Sequence, residues 1–107
     1  MNDGLNPKYR EIIRQILAKV DRVDRAFLFG SRATGTFRKA SDIDLALEGD
    51  QLALSDLGFL SGEFAESALP YQVDLILRSG IVNAKLAEHI TTQGVLVYAK
   101  ALPTTSP

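Results

Sequence analysis

Apolar residues recur along this chain in two rhythms, and each change of rhythm marks an element. Asn6-Pro7 reads as a helix start, with asparagine as the cap and proline in the first turn. Ile12, Ile13, Ile16, Leu17 and Val20 then repeat at helical spacing and give that helix one apolar face. A charged connection follows over residues 21–25. The run Ala26-Phe27-Leu28-Phe29 stops at Gly30, as expected of a strand covered on both faces, with Phe27 and Phe29 in the core. Residues 31–40 are polar and suit a loop, or a loop with a short helix.

From Asp42 the period becomes two. Asp42, Asp44 and Ala46 share one face of a strand, and Ile43, Leu45 and Leu47 share the other. Gly49-Asp50 ends it. Ala53, Leu57, Leu60 and Phe64 predict a second helix, with Gly58 and Gly62 as its weak points, and Pro70 closes the region. Val73, Leu75 and Leu77 alternate with Asp74 and Ile76 in a third strand. Ile81, Val82, Leu86 and Ile90 predict a last helix, Gly94 takes the left-handed position at its end, and Val95-Leu96-Val97-Tyr98 forms an edge strand. The order implies an α/β (α+β) fold, a small sheet with helices packed on it. Residues 1–102 make one domain, and 103–107 a disordered tail.

Composition narrows the function classes. A chain of 107 residues has room for one core, and 46% hydrophobic with 23% charged residues is ordinary for a globule. The absence of cysteine excludes disulfides and thiolate-held metals, and a single histidine excludes a His–His metal site within the chain. A net charge of −1 without a basic tract argues against direct nucleic-acid binding. No run has the length of a membrane span and the first residues lack a signal-peptide core, so the expectation is a cytoplasmic protein without membrane contact.

Two motifs carry candidate chemistry. Gly30-Ser31-Arg32 follows a buried strand, where glycine lets the backbone turn close to a ligand and freed amides with the serine hydroxyl can hold phosphate oxygens. An ordinary strand-to-helix turn with a capping serine has the same sequence. Ser41-Asp42-Ile43-Asp44 places two carboxylates on one strand face, about 7 Å apart, where they repel unless a cation lies between them. Both aspartates simply facing water is the competing explanation, yet aspartate is a poor strand former and here two stand in one strand. A third acid, Asp74, interrupts an apolar run. If its strand neighbours the first pair, three acids converge and can hold two metal ions for an in-line phosphoryl transfer. Otherwise Arg78 is the obvious partner for a buried Asp74. Arg32, Arg38 and Lys39 flank the phosphate motif. His89 falls off the Leu86/Ile90 face and is expected in solvent, and Tyr9 and Tyr71 suit packing better than base stacking.

Gly30-Ser31, ten intervening residues, Asp42-x-Asp44 and the later Asp74 resemble the DNA-polymerase-β-like nucleotidyltransferase superfamily, above all its minimal nucleotidyltransferase (MNT) members. Val73-Asp74-Leu75-Ile76 and residues 90–98 are similar to that family's third-acid strand and its end, so the likeness covers most of residues 9–98. It implies a small mixed sheet with helices on it. It also implies nucleotide binding at Gly30, Ser31, Arg32 and Ser41, and a catalytic metal site of Asp42, Asp44 and Asp74 holding two Mg²⁺ ions, with ATP as nucleotidyl donor. Asp74 would also act on the acceptor hydroxyl. Thr34 departs from the pattern, standing where many relatives carry arginine, which bears on a basic phosphate contact and not on the metals. At this length the chain is expected to lack the acceptor-binding domain of larger members. The resemblance therefore implies a partner, a HEPN-domain toxin whose tyrosine receives AMP, with this chain as antitoxin. A non-catalytic antitoxin that neutralises its partner by stoichiometric binding is the alternative. A transferase acting on a small molecule such as an aminoglycoside is disfavoured by the missing substrate domain.

Overall fold

A computed structural model describes residues 6–30 and 42–100. Helix α1 (Pro7–Leu17) begins at the expected cap, where Asn6 Oδ1 accepts from the Lys8 amide at 2.8 Å. Its apolar face buries Ile13, Ile16 and Leu17, while Val20 is buried in the turn that follows. Strands β1 (Arg25–Phe29) and β2 (Ile43–Glu48) pair antiparallel, α2 (Leu54–Ala65) crosses over, and β3 (Val73–Leu77) returns parallel to β2. A parallel return requires such a crossover, because a tight turn can only reverse the chain. After a 3-10 turn (Arg78–Gly80) come α3 (Ala84–Gln93) and β4 (Val95–Ala99), which pairs antiparallel with β1 at the sheet edge. The strand order is β3-β2-β1-β4, a mixed sheet.

Each sheet face has its own cover. Ala26, Leu28, Ile43, Leu45 and Leu47 face α1 and α2 and form the main core with Ile13, Leu17, Leu60 and Phe64. The opposite face carries Phe27, Phe29, Ala46 and Ile76, and α3 lays Leu86 and Ile90 on it. The period of two in β1 and β2 thus becomes two cores, and the helical period decides which helix covers each. Tyr9 and Tyr71 pack edge to face with each other against the main core, their centroids 5.8 Å apart.

Some expectations about element boundaries differ from the structure. Helix α3 starts at Ala84, not near Ile81, because the Asn83 side chain caps it by accepting from the Leu86 amide at 3.0 Å. Val82 lies before that cap and is 98% exposed. Gly94 is extended, at φ −64° and ψ 144°, because the chain runs straight from α3 into β4. A side chain there would press on the Ile90 carbonyl, which the Gly94 amide bonds at 2.9 Å.

One acid belongs wholly to the fold. Asp56 is buried in the first turn of α2, where Oδ2 accepts from the Ala53 amide at 2.9 Å and from Arg22 Nε at 3.0 Å, and Oδ1 meets the Arg22 fork. These donors hold its carboxyl at about 2, below the usual 3.8. A depressed carboxyl contributes stability that is complete above the unfolded value and lost as pH falls toward the folded one. Asp56→Asn is therefore expected to lower the melting temperature at neutral pH. It should also flatten the loss of stability between 3.8 and about 2 that acid titration by circular dichroism would record for the wild type.

Candidate functional site

One row across the sheet carries the candidate chemistry. Phe29 of β1 stands opposite Asp44 of β2, and Asp44 stands beside Asp74 of β3. The next row, Phe27, Ala46 and Ile76, is apolar and belongs to the core under α3. Parallel pairing of β2 with β3 aligns the two aspartates at the start of their strands. Asp42, expected within the strand beside Asp44, directly precedes β2 instead and is exposed. The three acids therefore share one end of the sheet. Ser31, Arg32 and Ser41, together with Thr34, Arg38 and Lys39, lie outside the described residues.

Asp44 is the loaded member. Burial first, then the charges of Asp74 and Asp42, push its carboxyl above the usual 3.8. A carboxylate under that load gains from any cation placed beside it. Among the described residues no three acid or histidine side chains form a ready metal cage. Asp74 Oδ1 instead accepts from the Gln72 side-chain amide at 3.2 Å. Mg²⁺ takes one or two protein carboxylates and completes its shell with water and phosphate oxygens, so a hard-oxygen set centred on Asp44 fits it.

Asp74 is exposed, which removes the premise that burial forces it to find a countercharge. Arg78 does not pair with it. Four residues along β3 is about 13 Å, which carries Arg78 to the far end of β2. There it donates to Glu48 Oε2 at 2.8 Å and Thr91 Oγ1 at 3.0 Å, and it lies 4.8 Å over the Phe27 ring. Arg25 holds the other oxygen of Glu48 at 2.8 Å. Arg78 thus ties α3 to the sheet.

Gly30 closes β1 with φ at +77°, a left-handed setting that disfavours any side chain. A Cβ built there would also collide with Asp44 Oδ2, so the turn and the carboxylate occupy one space that only glycine leaves open. The Gly30 amide donates to His89 Nε2 of α3 at 3.0 Å, and the imidazole meets Phe29 edge on, centroids 6.4 Å apart at 75°. Contrary to the solvent position its helical spacing predicts, His89 is half-buried against the turn. Its spacing of three from Leu86 and its place next to the buried Ile90 are the sequence signals that could have found it. An apolar groove lined by Leu54, Leu75, Leu77, Ile81, Val82 and Leu86 begins one residue beyond Asp74 on β3.

A family model described as "Polymerase beta, Nucleotidyltransferase" matches residues 11–101. Among solved structures, a chain of a toxin–antitoxin structure with AMP-PNP is 28% identical, at a TM-score of 0.70 over 85% of this chain and 73% of that one. A chain from the complex of a tri-AMPylated Shewanella oneidensis HEPN toxin with MNT antitoxin is 25% identical, at a TM-score of 0.64 over 85% and 70%. A chain of a toxin–antitoxin complex, MntA–HepT, is 25% identical at 0.63, over 85% and 70%. Among curated proteins none matches this chain. No helix of the described residues is long and apolar enough to cross a membrane.

Proposed function

This chain belongs to the polymerase beta nucleotidyltransferase family, and from that premise we propose that it moves AMP from ATP onto a side-chain hydroxyl of a partner protein. The preferred acceptor is a tyrosine of a HEPN-type toxin, which makes the chain an antitoxin. The observation that carries this reading is the register of Asp44 with Asp74, with the Gly30 turn packed against the Asp44 carboxylate. The similarity to toxin–antitoxin chains, one with AMP-PNP and one with an AMPylated toxin, supports the donor and the partner class.

We assign Mg²⁺ to Asp42 and Asp44, with Asp74 completing the set, and nucleotide binding to Gly30, Ser31, Arg32 and Ser41. When bound, the metal supplies charge neutralisation for the triphosphate and for the oxygens that attack and leave. The acceptor oxygen forms a bond to the α-phosphorus, the bond to the β-phosphate oxygen breaks, and pyrophosphate departs. The exposed Asp74 carboxylate takes the acceptor proton. Asp44 is half-buried and packs against the Gly30 turn, which limits the positions open to its carboxylate.

The test is intact mass spectrometry of the co-expressed partner. The expected result is one or more added AMP groups with wild type and none with Asp74→Asn. A partner that is neutralised in cells while its mass stays unchanged would replace this reading with stoichiometric binding.

A further inference from the structure

The Gly30 turn has a second support besides its own backbone, and it comes from 59 residues away in sequence. We propose that His89 is a positioning residue: its neutral imidazole holds the Gly30 amide, and through that turn it sets the Asp44 carboxylate. The proposal rests on the transferase reading above for its consequence, though not for its geometry.

The argument begins with the hydrogen bond. A backbone N–H donates to Nε2, so that nitrogen carries a lone pair and the ring proton sits on Nδ1. Gly30 lies just beyond the last residue of β1 and its paired register, and a side chain of α3 supplies the acceptor for its amide. The turn also takes the left-handed setting that the chain adopts least readily. Two contacts keep the imidazole in place. Phe29 takes it edge on, and Ile90, the next residue of α3, is 2% exposed in the core beneath. Gly30 and Asp44 are in contact across the space a Cβ would fill, so a shift of the turn moves into or away from that carboxylate. His89 therefore acts on the acid through the glycine. It touches neither nucleotide nor acceptor in this scheme.

Three proteins separate this from a packing role. His89→Phe keeps an aromatic ring against Phe29 and removes the acceptor. His89→Gln restores an acceptor at the reach of Nε2. The readouts are hydrogen exchange at the Gly30 amide, followed by NMR, and kcat and KM for AMP transfer to the partner. The expected result for His89→Phe is faster Gly30 exchange and a kcat lower by about 10- to 100-fold, the usual cost of losing a group that orients a ligand. KM for ATP should change less. His89→Gln should recover both the protection and most of kcat. Unchanged Gly30 exchange in His89→Phe overturns the proposal, as does full kcat in a variant whose protection is lost, or a glutamine variant no better than phenylalanine. If the wild type transfers nothing, the transferase reading fails, and the exchange data alone decide whether His89 holds the turn.

Discussion

Asp44→Asn is expected to lower nucleotidyl transfer by about a thousandfold or more, while the metal-free fold becomes as stable as the wild type or more so. A loss of that size corresponds to about 4 kcal/mol of transition-state stabilisation, the scale on which a metal's charge acts at a phosphoryl oxygen. The stability change has the opposite sign because Asp44 is held above 3.8 by burial and by Asp74 and Asp42. The folded chain keeps that proton to higher pH than the unfolded one. Stability therefore falls as pH rises through the window above 3.8 and stays lower beyond it. The asparagine variant has no such proton to lose, so its advantage is present at neutral pH and vanishes below 3.8. Thermal melts across pH check the first half. The second half is the response to Mg²⁺ with AMP-PNP. At a hundredfold excess over Kd, binding to the native state alone is worth about 2.7 kcal/mol, on the order of 10 °C for a domain of this size. Wild type should show that rise and the variant should lose most of it. Equal rises in both would remove Asp44 from the metal site.

The same acids mark where the sequence was readable. Asp44 and Asp74 stand out because each interrupts the apolar pattern of a strand, a conflict of the kind expected at functional sites, while Asp42 directly precedes β2. The elements were readable from their patterns: β1 is an unbroken apolar run, β2 and β3 keep period two, and α1 and α2 keep the helical period over several turns. What escaped was set by contacts between distant segments. His89 carries only a weak local signal, its spacing from Leu86, and it is the docking of α3 on β1 that brings it to Gly30. Arg78 looks like a partner for Asp74 along the chain, but parallel register places it beside Glu48. The start of α3 turned on one capping side chain, Asn83, which outweighed the apolar Ile81 and Val82 before it. Gly94 had the composition of a left-handed helix end, but the strand that follows at once required an extended backbone.

Gly30→Ala is expected to damage both fold and activity, and the two losses have separable causes. Alanine at φ +77° costs about 1–2 kcal/mol in backbone strain alone, which lowers the melting temperature of a domain this size by roughly 5–10 °C. The new methyl also collides with Asp44 Oδ2, so either the turn or the carboxylate must move. A displacement of about 1 Å at a reacting group can cost on the order of a hundredfold in rate, so activity should fall further than stability predicts. Truncating the colliding partner isolates the second cause. In an Asp44→Ala background the carboxylate is gone, and the remaining Cβ lies 3.7 Å from the alanine methyl, an ordinary contact. The cost of Gly30→Ala should then shrink to its backbone part. Neighbours that share a contact couple by about 0.5–3 kcal/mol in such a cycle, here with the double variant more stable than the two single losses would add up to. Strict additivity in denaturant melts would mean that the turn and Asp44 move independently. The glycine would then be needed for its backbone alone, and the route from His89 through Gly30 to the acid would be broken at its middle link.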